Sequence, residues 1–206
     1  MSTWKPEQVS QALGHLNRSD PRMKQLIRQV GPFQMKRQTN RYQSLLKAIV
    51  SQQISTAAAR SIWKRIETLT GTPRITAAAI FVLTDEQLRS AGLSPQKLRY
   101  VRDLTERVQT RQLRLPRLHL LSDDEIIEEL TAVKGIGIWT AQMFLMFSLG
   151  RPDVLPHGDL GIQSAIRNLY ELPELPRRDE CHRIAEPWRP YATIASWYLW
   201  RSLEFR

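Results

Sequence analysis

Apolar residues recur every three to four positions along most of the chain. The pattern runs through PEQVSQALGHL, RMKQLIRQV, YQSLLKAIVSQQ and TAAARSIWKRIETL, then through DEQLRSAGL, PQKLRYVRDLTERVQ, DEIIEELTAV, WTAQMFLMFSL, GIQSAIRNLY and YATIASWYLWRSL. A period of about 3.6 residues marks helices that bury one face. No segment sustains the alternation of β-branched and polar residues that a half-buried strand requires, so no sheet is expected. The pattern predicts an all-α protein of about ten helices joined by loops of ordinary length.

The polar positions between these runs agree with that reading. A helix start leaves backbone N–H groups without partners, and the sequence puts acceptors there. Thr84 with Gln87, and Ser122 with Glu125, have the spacing of capping boxes. Ser94 before Pro95 combines an N-cap with a proline at the first helical position. Proline-marked connections fall at RLPRLHLLS (114–122), RPDVLPHGD (151–159) and ELPELPRRD (171–179). There is no internal repeat and no low-complexity tract.

With 206 residues, of which 42% are hydrophobic, the chain can bury a core as one domain or two small lobes. The 30 Lys and Arg outnumber the 20 Asp and Glu, giving a net charge of +10. Such a surplus favours a polyanionic partner, nucleic acid first, although a basic solvated surface has the same signature. The single cysteine, Cys181, excludes an internal disulfide, a four-cysteine cluster and a cysteine-based zinc site. The histidines His15, His119, His157 and His182 are too scattered for a histidine-rich metal site. The start, MSTWKPEQVSQAL, lacks the apolar stretch of a signal peptide, and no run approaches a membrane span. A reducing cytosolic setting is expected, the bacterial cytosol or nucleoid, or the nucleus of a eukaryote, with no membrane partner.

The stretch LTAVKGIGIWTA (130–141) changes the picture. It predicts a helix over 123–133, a tight turn from Val133 to Gly137, and a second helix from Ile138 to Leu149. Glycines permit positive φ and leave no Cβ in the way of an approaching group. The second helix then begins with unpaired N–H groups at the turn and Lys134 beside them, an arrangement suited to a phosphate. An ordinary helix–turn–helix corner has the same local pattern.

More than the turn is present. The run L-x-x-V-K-G-I-G-x-W-T-A is followed by VLPHGDLGIQ and preceded by AIVSQQIS, GLSPQKLRYVRDL lies between, and PWRPYATIASWYLWR closes the chain. In this order these segments resemble the helix-hairpin-helix (HhH-GPD) DNA glycosylase superfamily that includes endonuclease III, and within it the 3-methyladenine DNA glycosylase II type. The resemblance spans about residues 40 to 206. It implies two helical lobes with a DNA-binding cleft between them. Residues 1–39 would pack with the C-terminal lobe, 40–150 would form a helical barrel ending in the hairpin, and 151–206 would be the C-terminal lobe with the catalytic aspartate.

The resemblance also assigns residues. Asp159 matches the catalytic aspartate, though an aspartate before LGIQSAIRNLY also reads as an N-cap, and both roles can coexist. Trp139 and Trp197 match base-pocket positions, with Met143 and Leu160 beside them where relatives differ. Gln53 is the candidate wedge for the hole left by a flipped nucleotide, flanked by Gln52 and Ile54. QQ also reads as a polar helix end with Ser55 capping the next helix. Lys134, Gly135, Ile136, Gly137 and Thr140 would grip DNA, and the backbone carbonyls of Thr131, Val133 and Gly135 would hold K⁺ or Na⁺. No cofactor is otherwise required, and no iron–sulfur cluster is expected from a chain with one cysteine. The family's lyase lysine position holds Trp139, so no Schiff base is expected. No extra N-terminal β-rich domain is expected.

The implied activity is monofunctional excision of alkylated purines from double-stranded DNA, in base excision repair, by a monomer. One rival is excision of another base, such as hypoxanthine, uracil or a mismatched pyrimidine. A second is a non-catalytic module that uses the hairpin only to bind lesions.

Overall fold

A computed structural model of the chain describes residues 4–205. Its α-helices are, in chain order, α1 (Pro6–Ser19), α2 (Pro21–Val30), α3 (Arg41–Ser51), α4 (Thr56–Thr70), α5 (Ala77–Phe81), α6 (Asp85–Ser90), α7 (Pro95–Gln109), α8 (Asp123–Thr131), α9 (Ile138–Phe144), α10 (Leu160–Tyr170), α11 (Arg178–Ala185) and α12 (Ala192–Ser202). Short 3-10 turns occupy Leu115–Leu120, Glu186–Trp188 and Leu203–Phe205. No β-strand occurs among the described residues, and no helix among them is long and apolar enough to cross a membrane.

The expected caps are in place. Both capping boxes close in both directions, Ser94 accepts from Lys97 N, and Ser55 accepts from Ala58 N. Two expectations need correction, and one expected connection gains detail. The segment read as one helix from Ile138 to Leu149 is α-helical only to Phe144, and Leu145–Leu149 is π-helical. The connection at 114–122 contains a 3-10 turn started by Pro116. The helices also exceed the expected ten, because α5 is a single turn with no polar face and α11 is mostly polar, so neither showed a period in the sequence.

Contacts divide the chain into two compact units, Gln38–Phe144 and the pair Met1–Arg37 with Leu145–Arg206. Within Gln38–Phe144, α7 packs on α3, α5 and α6, while α9 packs on α3 and α8. Leu45, Leu46 and Ile49 of α3, Val101 and Leu104 of α7, and Ile126 and Leu130 of α8 are buried there. Polar ties hold these helices in register. Tyr42 and Thr105 share a buried hydroxyl hydrogen bond of 2.7 Å, and burial raises the Tyr42 phenol above its ordinary range. The Arg102 guanidinium reaches the carbonyls of Ile80 and Leu83 and the Asp85 carboxylate, fastening α5 and α6 to α7.

The second unit draws its core from both ends of the chain. Leu16 and Met23 pack with Ile166, Trp188, Tyr198 and Leu199, and Cys181 lies fully buried among them. At the centre is Asp20, a buried carboxylate. Its Oδ1 caps α2 by accepting from Arg22 N and Met23 N at 2.9 and 3.1 Å. Its Oδ2 accepts from Trp188 Nε1 at 2.8 Å and from the Tyr170 hydroxyl. Burial and this hydrogen bond raise the Tyr170 phenol well above its ordinary value.

Asp20→Ala would remove a cap and strand the buried Trp188 donor and the half-buried Tyr170 hydroxyl. It should cost about 3 kcal/mol or more, read as a fall in the urea midpoint, with Asp20→Asn intermediate.

Candidate functional site

The hairpin lies in Gln38–Phe144. Val133 and Ile136 are buried and pin the turn to the core, while Lys134 and Gly137 face solvent. Three contacts brace it. Lys134 N donates to Asp103 Oδ2 at 2.9 Å, Gln52 Nε2 donates to the Gly135 carbonyl at 2.7 Å, and the Tyr100 ring lies under Gly135. The two glycines do different work. Gly135 has φ +83°, and a Cβ there would fall 2.1 Å from the Tyr100 ring. Gly137 has no positive φ, and a Cβ there would meet nothing within 4 Å. Gly135 shapes the turn, whereas the start of α9 at Gly137 has open space beside it.

Beyond the turn, Trp139 is 49% exposed and Met143 half-buried. Thr140 is buried at 7% and Ile136 at 4%, so their side chains face the core. Any contact they make with DNA would come through backbone amides.

The loop SQQIS combines the readings open in the sequence. Ser55 does cap α4, and Gln53 sits in the left-handed region at φ 52°, exposed with Ile54. Such a backbone costs energy in a residue other than glycine and recurs at functional sites. Gln52 points inward to the hairpin. An open cleft of about 330 Å³ lies alongside, lined by Gln52, Gln53, Ile54, Lys97, Tyr100 and Gly135. Lys97 Nζ donates to the Val50 carbonyl at 2.6 Å, and burial lowers its pKa. Tyr100, Lys97 and Asp103 lie in the segment GLSPQKLRYVRDL that carries part of the resemblance, but nothing in the sequence singled them out individually.

Asp159 lies in the other unit, in a connection tied down along its length. Thr193 N and Oγ1 donate to the carbonyls of Pro152 and Arg151 at 2.9 and 2.7 Å, and its Oγ1 accepts from Val154 N at 3.0 Å. Asp153 accepts from Ala192 N and pairs with Arg189 at 3.0 Å. Nearer the aspartate, Gln163 Nε2 holds the His157 carbonyl at 2.9 Å, and Asp159 N donates to Pro156 O at 2.9 Å.

The Asp159 carboxylate caps α10, with Oδ1 accepting from Ile162 N at 2.9 Å. The same oxygen accepts from Trp200 Nε1 at 3.0 Å. Trp200 stacks on Phe147, which the π-helical turn presents, with centroids 6.0 Å apart. Leu160 is 66% exposed next to the aspartate. Trp197, one turn before Trp200, packs edge-on against Phe33 and Tyr198 under the Arg201 guanidinium. The aromatic side chain bonded to Asp159 is therefore Trp200, which the sequence singled out only as part of a helix. One turn of spacing on α12 hid the difference.

His157 is also newly visible. Its ring lies 5.0 Å from that of His182, two residues before Asp159. Burial, then the charges of His182 and Arg178, lower its pKa.

Comparison with known proteins places this geometry in context. The model of the HhH-GPD superfamily base excision DNA repair protein matches residues 46–190. DNA-3-methyladenine glycosylase 1 of Schizosaccharomyces pombe is 33% identical over 91% of this chain and 85% of its own. The crystal structure of DNA-3-methyladenine glycosidase from Bacillus halodurans superposes with a TM-score of 0.86 at 38% identity, covering 98% of this chain and 91% of that one. The S. pombe 3-methyladenine DNA glycosylase Mag1, solved in complex with abasic DNA, gives 0.82 at 33% identity over 94% and 97%.

Two predictions follow from the geometry. Gly135→Ala should cost about 2 kcal/mol or more through strain and displacement of the Tyr100 ring, whereas Gly137→Ala should cost less than about 1 kcal/mol, both read by thermal denaturation. His157 is held neutral in the fold, so its contribution to stability is complete above its ordinary pKa of 6.5 and is lost as pH falls through that value towards the lowered folded one. Between about pH 7.5 and 5.5 the wild type should lose more Tm than His157→Gln.

Proposed function

We propose that this chain, which belongs to the HhH-GPD superfamily of base excision DNA repair proteins, uses Asp159 to excise alkylated purines from DNA. It is a DNA glycosylase of the 3-methyladenine type and hydrolyses the N-glycosidic bond. The observation that carries the aspartate's role is its fixed carboxylate at the head of α10, held by two donors on one oxygen.

The chemistry fits that group. Flipping a nucleotide out of the stack costs a few kcal/mol, less for a damaged base. An N3- or N7-alkylated purine is cationic, so the electron pair of the breaking C1′–N bond neutralises the base as it leaves. No general acid is needed. Positive charge grows instead on the sugar, and an ionised carboxylate near C1′ stabilises it. Water then bonds to C1′ and gives up a proton, which the carboxylate can accept or direct. The products are free base and an abasic site. Trp139 in place of an amine supports hydrolysis without strand cleavage by a Schiff base.

The rest of the machinery is assigned on the same reading. The open start of α9, with Gly137 and Lys134, receives a phosphate. Gln53 and Ile54 fill the gap left by the flipped nucleotide. On that reading Trp139 and Met143, in Gln38–Phe144, and Leu160 and Trp197, in the other unit, are each apolar or aromatic side chains of the kind a cationic purine favours. The carbonyls of Thr131, Val133 and Gly135 would hold a monovalent cation. The Val133 carbonyl accepts from Ile136 N and that of Gly135 from Gln52, and each keeps a second lone pair, so the residues fit. The cation would add positive charge beside the phosphate.

Base release from duplexes carrying one 3-methyladenine or 7-methylguanine tests the proposal. Wild type should release the base. Asp159→Asn should slow release about 100-fold or more while DNA binding persists. Equal release by both would remove Asp159 from the mechanism, and binding without release by the wild type would mark a lesion-binding module.

A further inference from the structure

The geometry points to Trp200 as a positioning residue for excision, an indole N–H that fixes the Asp159 carboxylate in its working orientation. This rests on the reading of Asp159 given above and adds a second residue to it. Ile162 N, one of the two donors on Asp159 Oδ1, is backbone and exists whatever the side chains are. It satisfies an N-cap from within α10 itself. The Trp200 donor reaches the same oxygen from α12, a different helix. Two donors on one oxygen from two elements fix the plane of the group and prevent its rotation.

The surroundings are built for that bond. Gly161 lies in the angle between the two side chains. A Cβ there would fall 2.9 Å from Asp159 Oδ1 and 3.3 Å from Trp200 Cδ1, closer than real Cβ atoms normally come. Its φ is not positive, so glycine is needed for space and not for backbone conformation. On its other side, the Phe147 ring stacks on the indole at an interplanar angle of 26° and limits its rotation. The π-helical turn Leu145–Leu149 sets that ring. Phe147, Trp200 and Gly161 thus form a support that aims one N–H at the aspartate.

Trp200→Phe keeps an aromatic ring for Phe147 and removes the donor. Gly161→Ala keeps the donor and crowds the carboxylate. Single-turnover excision of 7-methylguanine from a duplex, duplex affinity and Tm should be measured for both, for Asp159→Asn, and for the double variant Trp200→Phe with Asp159→Asn. Each support variant should excise about tenfold more slowly with affinity unchanged, and Trp200→Phe should cost nothing further once Asp159 is Asn. A purely structural tryptophan would give the same fractional loss in both backgrounds, and that result overturns the proposal. Full activity in both support variants, with Asp159→Asn inactive, overturns it too and leaves the carboxylate's role standing. If Asp159→Asn excises like the wild type, the carboxylate reading falls and the positioning role goes with it. Should Trp200→Phe not fold, Gly161→Ala decides by itself: unchanged excision counts against the proposal, and a slowed chemical step at unchanged affinity and Tm supports it.

Discussion

One buried carboxylate holds together a unit assembled from the two ends of the chain. Asp20 is 150 residues from Tyr170 and 168 from Trp188, yet it bonds to both while capping α2. Contacts so distant in sequence form only after a large loss of chain entropy, so their partners must be well satisfied. A carboxylate suits this junction because it accepts several hydrogen bonds at once, where an amide would accept fewer. Tyr170 is the last residue of α10 and Asp159 is the cap at its head. The bond that closes the unit therefore also anchors the far end of the helix that carries the proposed catalytic group.

The hairpin solves a related problem within Gln38–Phe144. An exposed turn that must present backbone amides in a fixed geometry cannot be left to its own flexibility. Here α7 supplies a ring beneath Gly135 and a carboxylate beneath Lys134 N, and Gln52 at the end of α3 holds the Gly135 carbonyl. The rigid part of the turn is braced from below, and the open part, at Gly137, is left clear. Both features depend on side chains from elements remote in sequence.

That dependence explains what could be read from the sequence. The all-α class, the capping boxes at Thr84 and Ser122, the Ser94–Pro95 start and the turn at Gly135 all rest on local spacing, and each was legible. Asp159 as an N-cap was legible for the same reason, and its place in a known motif order came from the resemblance. Trp200 was not legible, because nothing local separates it from Trp197: both lie on one apolar helix, three residues apart. Only the path of α12 past α10 decides which indole meets the carboxylate. The π-helical turn at Leu145–Leu149 was likewise hidden in a run that is apolar on almost every side, where periodicity is silent. Tyr100 and Asp103 read as ordinary members of α7 until the hairpin is folded against them.

The burial of Cys181 has a consequence for an enzyme of this kind. Its thiol lies wholly in the core, donates to the Pro176 carbonyl, and is pushed up to about 11, chiefly by desolvation and further by Glu180. The thiolate is the reactive form, and burial disfavours it. The electrophiles that methylate purines also attack thiolates. A chain whose sole cysteine is enclosed in this way offers those reagents little thiolate to react with.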